Sequence, residues 1–275
     1  MNPVTENLHD RLRTALETAD EKQLALELAD ARAPDLAEAF ELLSDEQRSE
    51  VLFALPPHTA AEVVVMLDER VRGELVDDLD TDSLTEIVSE LTPDDAADVL
   101  GELTHREAEA ILELMADGEK SDQIEGLLEY HEETAGGIMT PDVVAVPAAA
   151  TVADAIEQVR EATQEEDLNE VYIVDEEARP TGTVPLRRLV TSPPGTRLED
   201  ICDRDHVVVS VHDDQEAVIQ AIRKYDAMEA VVVDDHGRLV GRITHDDLLD
   251  VAEEEAEEDL LRMAGTDAAE LGTSS

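Results

Sequence analysis

The run Thr244–Met263, THDDLLDVAEEEAEEDLLRM, sets nine carboxylates in twenty residues. Read as one helix, it places Asp247, Asp250, Glu254 and Glu258 at three- and four-residue spacing, so these four share a face, and Glu255 and Asp259 form an adjoining pair. Like charges so spaced weaken a helix by roughly 0.2 to 0.5 kcal/mol per pair, which something else must offset. Two readings fit these residue types. The run is either a solvated acidic surface or a set of oxygen ligands awaiting a hard cation, which takes carboxylates in preference to nitrogen or sulfur.

Composition gives weight to the solvated reading. Against 70 Asp and Glu stand 20 Lys and Arg, for a formal net charge of −50 over 275 residues, and only Lys22, Lys120 and Lys224 are lysines. Such an excess, spread along the whole chain, suits a halophilic protein in concentrated salt, where ions screen self-repulsion. The acidic column Glu50, Glu62, Glu74, Glu86 and Asp98 repeats in register with the apolar pattern, as an outward face would. A surface this negative repels nucleic-acid phosphates, whose binding depends on Lys and Arg displacing counterions. The single Cys202 rules out an intramolecular disulfide and fits a reducing, cytoplasmic setting. No signal peptide is legible, and no apolar run approaches the ~18 residues needed to span a bilayer, so the chain by itself is not expected to form a channel. The eight histidines show no zinc spacing, and neither a Walker loop nor a dinucleotide glycine pattern appears, so no enzyme is expected.

Two periodicities organise the elements that must position these carboxylates. In the first half, Leu43, Leu55, Leu67, Leu79, Leu91, Leu103 and Met115 lie twelve residues apart. So do Val51, Val63, Leu75, Ile87, Val99 and Ile111, and Leu52, Val64, Val76, Val88, Leu100 and Leu112. Ser44, Asp68, Asp80, Thr92 and Thr104 stand where helix N-caps belong, and Pro57 and Pro93 near first-turn positions. Twelve residues allow about two helical turns and a tight link, so each unit can bury its stripe only by stacking on its neighbours. The pattern predicts a superhelix of short helices over about 34–128, with residues 5–30 as one more amphipathic layer. In the second half, β-branched runs at 143–146, 171–174, 207–211 and 230–235 alternate with helical stretches at 152–162 and 215–225. A strand ending in acid, then a turn, then a strand appears as VYIVDEEARPTGTVPL and again as AVVVDDHGRLVGRITH, with Gly182 and Gly241 in matching places. The fold class is thus α followed by α/β, with two β-α-β-β-α units joined by TSPPGTRLED.

Tandem units of this length, the second closing with Gly241-RITHDD, resemble a pair of CBS domains, and Thr244 and Asp247 match that family's T-x-x-D pattern. The first unit departs from it, since Gly182-TVPLRR carries neither the Thr nor the Asp. A helical superhelix, then Glu133-TAGGIMTPDVVAV, then two such units and the acidic run together resemble the cytosolic part of MgtE-type magnesium transporters, over about residues 35–265. The resemblance implies a helical N domain over 1–130, CBS units over 131–196 and 197–250, a plug-like helix over 244–265 and a flexible tail over 266–275. It also implies a cytoplasmic magnesium sensor that gates a pore, peripheral at the inner face of the membrane, since in that family a plug helix leads into five membrane helices. Either a separate membrane polypeptide supplies that pore, or the sequence is an excised or diverged module.

The same resemblance implies metal roles for Asp247, Asp250, Glu255, Glu258 and Asp259, for Glu216 and Asp226 in the second CBS unit, and for Glu62, Asp94 and Asp98 in the helical domain, with the Gly136 carbonyl nearby. Magnesium keeps several waters and uses one or two carboxylates per ion, so a sensor needs acids on two bodies rather than a closed cage. ATP or another adenine nucleotide would be held by Thr244 and Asp247, with Arg187 toward a phosphate, although Thr244 could simply cap the helix that begins at His245. The family pairs through its CBS domains, which implies a homodimer. Two other readings remain open at this level. One is a nucleotide sensor in which metal is incidental, the other a scaffold whose helical units are similar to those of a flagellar motor switch protein.

Overall fold

The computed structural model describes residues 3–18, 20–29, 31–162, 168–245, 247, 248 and 251. The chain divides into two compact units, Met1–Leu128 and Glu129–Ser275.

The first unit is helical. Helices α1 (Pro3–Glu17), α2 (Glu21–Ala29) and α3 (Ala33–Phe40) lead into α4 (Asp45–Ala54), α5 (Pro57–Val65), α6 (Glu69–Asp77), α7 (Thr81–Glu90), α8 (Pro93–Gly101) and α9 (His105–Leu114), and α10 (Gly118–Leu127) closes the unit. From α4 to α9 the helices begin every twelve residues, as the sequence repeat requires. Ser44, Asp68, Asp80, Thr92 and Thr104 occupy the N-cap positions, and Pro57 and Pro93 fall in the first turn, where a missing N–H costs nothing. Helix α1 packs on α3, α3 on α5, α5 on α7 and α7 on α9, while α2 packs on α4, α4 on α6 and α8 on α10. Most helices therefore meet the next but one. The column Val51, Val63, Leu75, Ile87, Val99 and Ile111 is wholly buried between them. Each such side chain contributes roughly 1.5 to 3 kcal/mol, which a two-turn helix alone could not supply.

The second unit carries two three-stranded sheets. Strands β1 (Ala145–Pro147), β2 (Glu170–Val174) and β3 (Pro180–Pro185) form the first, with α11 (Val152–Glu161) and α12 (Leu186–Thr191). Strands β4 (Val207–Ser210), β5 (Ala230–Val233) and β6 (Leu239–Ile243) form the second, with α13 (Gln215–Tyr225). In each sheet the first pair is parallel and the second antiparallel, and each hairpin has its register shift at the matching place, Ile173/Val174 and Val232/Val233. The hairpin turns repeat as well. Asp175 Oδ1 accepts from the Glu177 and Arg179 amides, and Asp234 Oδ1 from those of His236 and Arg238. Both turns demand a left-handed residue, filled by Gly237 (φ 76°) in one and by Ala178 (φ 62°) in the other.

The segments that enter the two sheet-bearing units are exchanged. Residues 134–142, on the way to β1, lie on the second unit: the Ala135 amide donates to Asp213 O (2.7 Å), the Gly136 amide to Val211 O (2.9 Å), and Thr140 and Arg242 exchange both backbone bonds (2.8 and 2.9 Å). Residues 197–203, on the way to β4, lie on the first unit: Thr151 pairs with Arg197, and Thr183 and Asp203 exchange bonds of 2.8 and 2.7 Å. Each unit thus holds the strap that leads into the other. Both outer strands make room with a glycine. A Cβ on Gly241 would stand 2.8 Å from Thr140 O, and one on Gly182 2.7 Å from Asp203 O.

Candidate metal and nucleotide sites

The T-x-x-D motif of the second unit sits where β6 ends and a helical turn begins. Thr244 is buried, and its amide and hydroxyl both donate to Asp247 Oδ2, at 2.6 and 2.8 Å. The same geometry recurs at the start of α11, where the Thr151 amide and hydroxyl donate to Asp154 Oδ2 (2.8 and 2.7 Å), and at α9, between Thr104 and Glu107. The hydrogen bonds from Thr151 and Thr104 hold the Asp154 and Glu107 carboxyls below their usual range. One oxygen of Asp247 is therefore committed to a capping interaction. In the first unit, Pro185 takes the place of Thr244 at the start of α12, and Arg188 takes that of Asp247. Arg188 Nη1 donates to Ile201 O at 2.6 Å, while Arg187 is exposed. An acid that could accept a ribose hydroxyl is absent from that position.

The other candidate acids divide between the two units. Glu62, on α5, is exposed, with His58 Nε2 at 3.4 Å. Asp94 and Asp98 lie one turn apart on α8, about 6 Å along its axis, and share a face. Asp98 is exposed, whereas Asp94 is half-buried and its Oδ1 is buried without a hydrogen-bond donor. A buried carboxylate oxygen left in this state is unfavourable unless a cation or water meets it, which is what a ligand requires. In the second unit, Glu216 is exposed in the first turn of α13, and Asp226 is the exposed left-handed residue (φ 53°) that ends the same helix. The length of α13 keeps these two about 15 Å apart, so they cannot share one ion. Gly136 is buried within its strap. Asp250, Glu255, Glu258 and Asp259 lie outside the described residues. Among the described residues, no three His, Cys, Asp or Glu side chains gather as a ready metal cage.

A buried polar cluster escaped the sequence reading. The Tyr172 hydroxyl, on β2, donates to Glu229 Oε1 at 2.5 Å, and Arg242 Nη1, on β6, stands 3.5 Å from Glu229 Oε2. Arg242 Nε also donates to Asp142 O at 3.1 Å. All three side chains are at most 7% exposed. The signal was present as a lone charge in each of two strand-like stretches, MEAVVV and LVGRIT.

Comparison with known proteins follows the same division of the chain. The family model for the MgtE intracellular N domain matches residues 31–133, and that for the CBS domain matches 135–194 and 198–254. The magnesium transporter MgtE of Thermus thermophilus is 40% identical over 150 residues, which cover 54% of this chain and 33% of that protein. The magnesium transporter MgtE of Enterococcus faecalis is 38% identical over 154 residues, 56% of this chain and 34% of that protein. The matched stretch spans about a third of the length of these curated relatives. Among solved structures, the cytosolic domain of the Mg2+ channel MgtE in complex with ATP superposes with a TM-score of 0.80 at 36% identity, covering 88% of this chain and 99% of that one. The soluble part of a magnesium transporter superposes with a TM-score of 0.76 at 27% identity, covering 92% and 99%. No helix among the described residues is long and apolar enough to cross a membrane.

Proposed function

Because the chain belongs to the MgtE family, matched through an intracellular N domain and two CBS domains, we propose that it is a cytosolic, magnesium-responsive regulatory module for a magnesium pore outside these 275 residues. The observation that carries this reading is the pairing, in one chain, of the helical unit with the CBS pair, over 88% of its length at 36% identity to a magnesium-channel cytosolic domain. The module works through acids on separate bodies: Glu62, Asp94 and Asp98 on the helical unit, and Gly136, Glu216, Asp226 and Asp247 on the CBS unit, joined by Asp250, Glu255, Glu258 and Asp259. Bare carboxylates brought near one another repel, which keeps the two bodies apart. Magnesium supplies a compact double charge that carboxylates and a backbone carbonyl can hold together with several waters. The orphaned Asp94 Oδ1 supports this assignment most directly.

A second copy is the natural partner of the CBS pair. Val190, Tyr225 and Met228 are 64 to 78% exposed there, apolar area that pairing would remove from water. The membrane pore itself is the further partner.

The test is small-angle scattering of the full chain in molar potassium chloride while magnesium is titrated at fixed ionic strength. Screening then shortens long-range repulsion to roughly 3 Å, so direct coordination dominates. The radius of gyration falls with magnesium, and the double variant Asp94→Asn, Asp98→Asn blunts the fall. Glu50→Gln with Glu86→Gln, exposed acids of the repeating column, leaves it unchanged. An invariant radius overturns the sensor reading.

The ATP named for one solved relative favours a second, compatible reading, in which Thr244 and Asp247 hold an adenine nucleotide and Arg187 faces its phosphates. A thermal shift with ATP, lost in Asp247→Asn, supports it. A shift without any magnesium effect on shape would make nucleotide the primary signal.

A further inference from the structure

The exchanged straps differ in one respect. The strap at 197–203 is held by backbone pairing with Thr183, but its counterpart at 134–142 has Arg242 in the equivalent place, with a guanidinium that reaches Asp142 O. That arginine is in turn tied to Glu229, and Glu229 to Tyr172 of the other CBS unit. The strap at 197–203 also takes an arginine bond, from the exposed Arg188 to Ile201 O, but among the described residues the buried guanidinium and its glutamate lie under the strap that continues from the helical unit.

We propose that Glu229 is a proton-operated control on this strap: protonated, it keeps residues 134–142 seated on the second CBS unit, and ionised, it loosens them. The geometry supplies the reason. Glu229 Oε1 has the Tyr172 hydroxyl, but the buried Oε2 has only the Arg242 guanidinium at 3.5 Å, a contact at the outer limit of a hydrogen bond. An ionised carboxylate in that position has given up water for one donor and one long ion pair, and lifting the strap would readmit solvent. The groups that face it are Tyr172 and Glu170 on β2 and Arg242 on β6, with the Asp142 carbonyl on the strap behind the arginine. Burial pushes the Glu229 carboxyl above its usual range, and Glu170 adds to this. The Tyr172 hydrogen bond and Arg242, through its charge and a weak hydrogen bond, pull the other way and lose. Burial and the Glu229 charge also drive the Tyr172 hydroxyl far up, so it remains a donor throughout.

The sign follows from linkage. A carboxyl that is raised when the strap is seated binds its proton more tightly there than when open. Closure is therefore favoured below the ordinary glutamate range and weakens as pH rises through the raised value. The capped acids Asp154 and Glu107 are lowered and contribute in the opposite direction, so the readout must be local.

Hydrogen exchange of the full chain, corrected for intrinsic rates, reads the Ala135, Gly136 and Thr140 amides between about pH 5 and about pH 8. Each unit by which closure raises Glu229 gives about a tenfold loss of protection across that range. The Thr183 and Asp203 amides, which pair β3 with the other strap, stay constant. Glu229→Gln, a mimic of the protonated acid, keeps the first strap protected at both pH values. Tyr172→Phe, which deletes a hydrogen bond that favours the ionised form, moves the midpoint to higher pH, an effect that mere loss of packing does not produce. Protection that is independent of pH in the native chain, or that falls equally in both straps, overturns the proposal.

Discussion

The two CBS units are built on one plan and depart from it in three ways at four positions, and the departures separate scaffold from device. Shared are the sheet order, the shifted register, the aspartate-bridged hairpin turn and the glycine under the incoming strap. Altered are Thr244 and Asp247 against Pro185 and Arg188, Arg242 against Thr183, and Gly237 against Ala178. What is shared satisfies backbone geometry, which any copy of the fold must do. The first two departures give the second unit an acid and a buried arginine where the first has an exposed arginine and a threonine. The third is a conformational cost borne by the first.

Removing the charge that distinguishes Arg242 from Thr183 tests this contrast most severely. Arg242→Met takes away the buried donor that the Asp142 carbonyl and Glu229 share, which costs about 1 to 3 kcal/mol. Thr183→Val, its mate in shape and place, costs about 1 kcal/mol. Urea unfolding in molar salt reads both, and equal losses would mean that the cluster is packing alone.

The capping comparison is smaller. Thr244→Ala and Thr151→Ala each remove a side chain that donates to the acid three residues on, at about 1 kcal/mol apiece, with Ser restoring most of it. Equal losses mark Thr244 as a cap. If the second motif also holds nucleotide, Thr244→Ala alone abolishes the thermal shift with ATP.

The turns give the smallest effect and the only gain. Ala178 holds a left-handed conformation that costs a non-glycine residue about 1 to 2 kcal/mol, while glycine costs about 0.5 to 1 kcal/mol in chain entropy. Ala178→Gly therefore stabilises by about 0.5 to 1 kcal/mol, and Gly237→Ala destabilises by a similar amount. Thermal unfolding of the two variants should move in opposite directions.

Much of the scaffold was legible because it is local and repeated. A twelve-residue apolar column with Ser, Thr or Asp before it leaves one way to bury the stripe, and the helices from Asp45 to Leu114 take it. The run Gln215–Tyr225 was readable as a helix from its period alone, and its residues form α13. The candidate acids were legible as types but not as sites. The family resemblance set Glu216 and Asp226 in one ligand list, yet they stand at opposite ends of α13, and spacing by itself did not separate Glu62 and Asp98 from the repeating acidic column they belong to.

The sequence by itself determined the twelve-residue helical repeat and the repeated strand-turn-strand, because periodicity, caps and turn residues act over a dozen positions or fewer, and its motif strings carried the family resemblance. Tertiary structure alone decided that residues 134–142 belong to the second CBS unit, that one oxygen of Asp247 is taken by Thr244, and that Tyr172, Glu229 and Arg242 meet. The partners in that cluster are 57 and 13 residues apart in the chain, and no local preference encodes their meeting. It arises when two sheets close over a charge that neither could bury alone, and the cost of leaving that charge unpaired selects the arrangement.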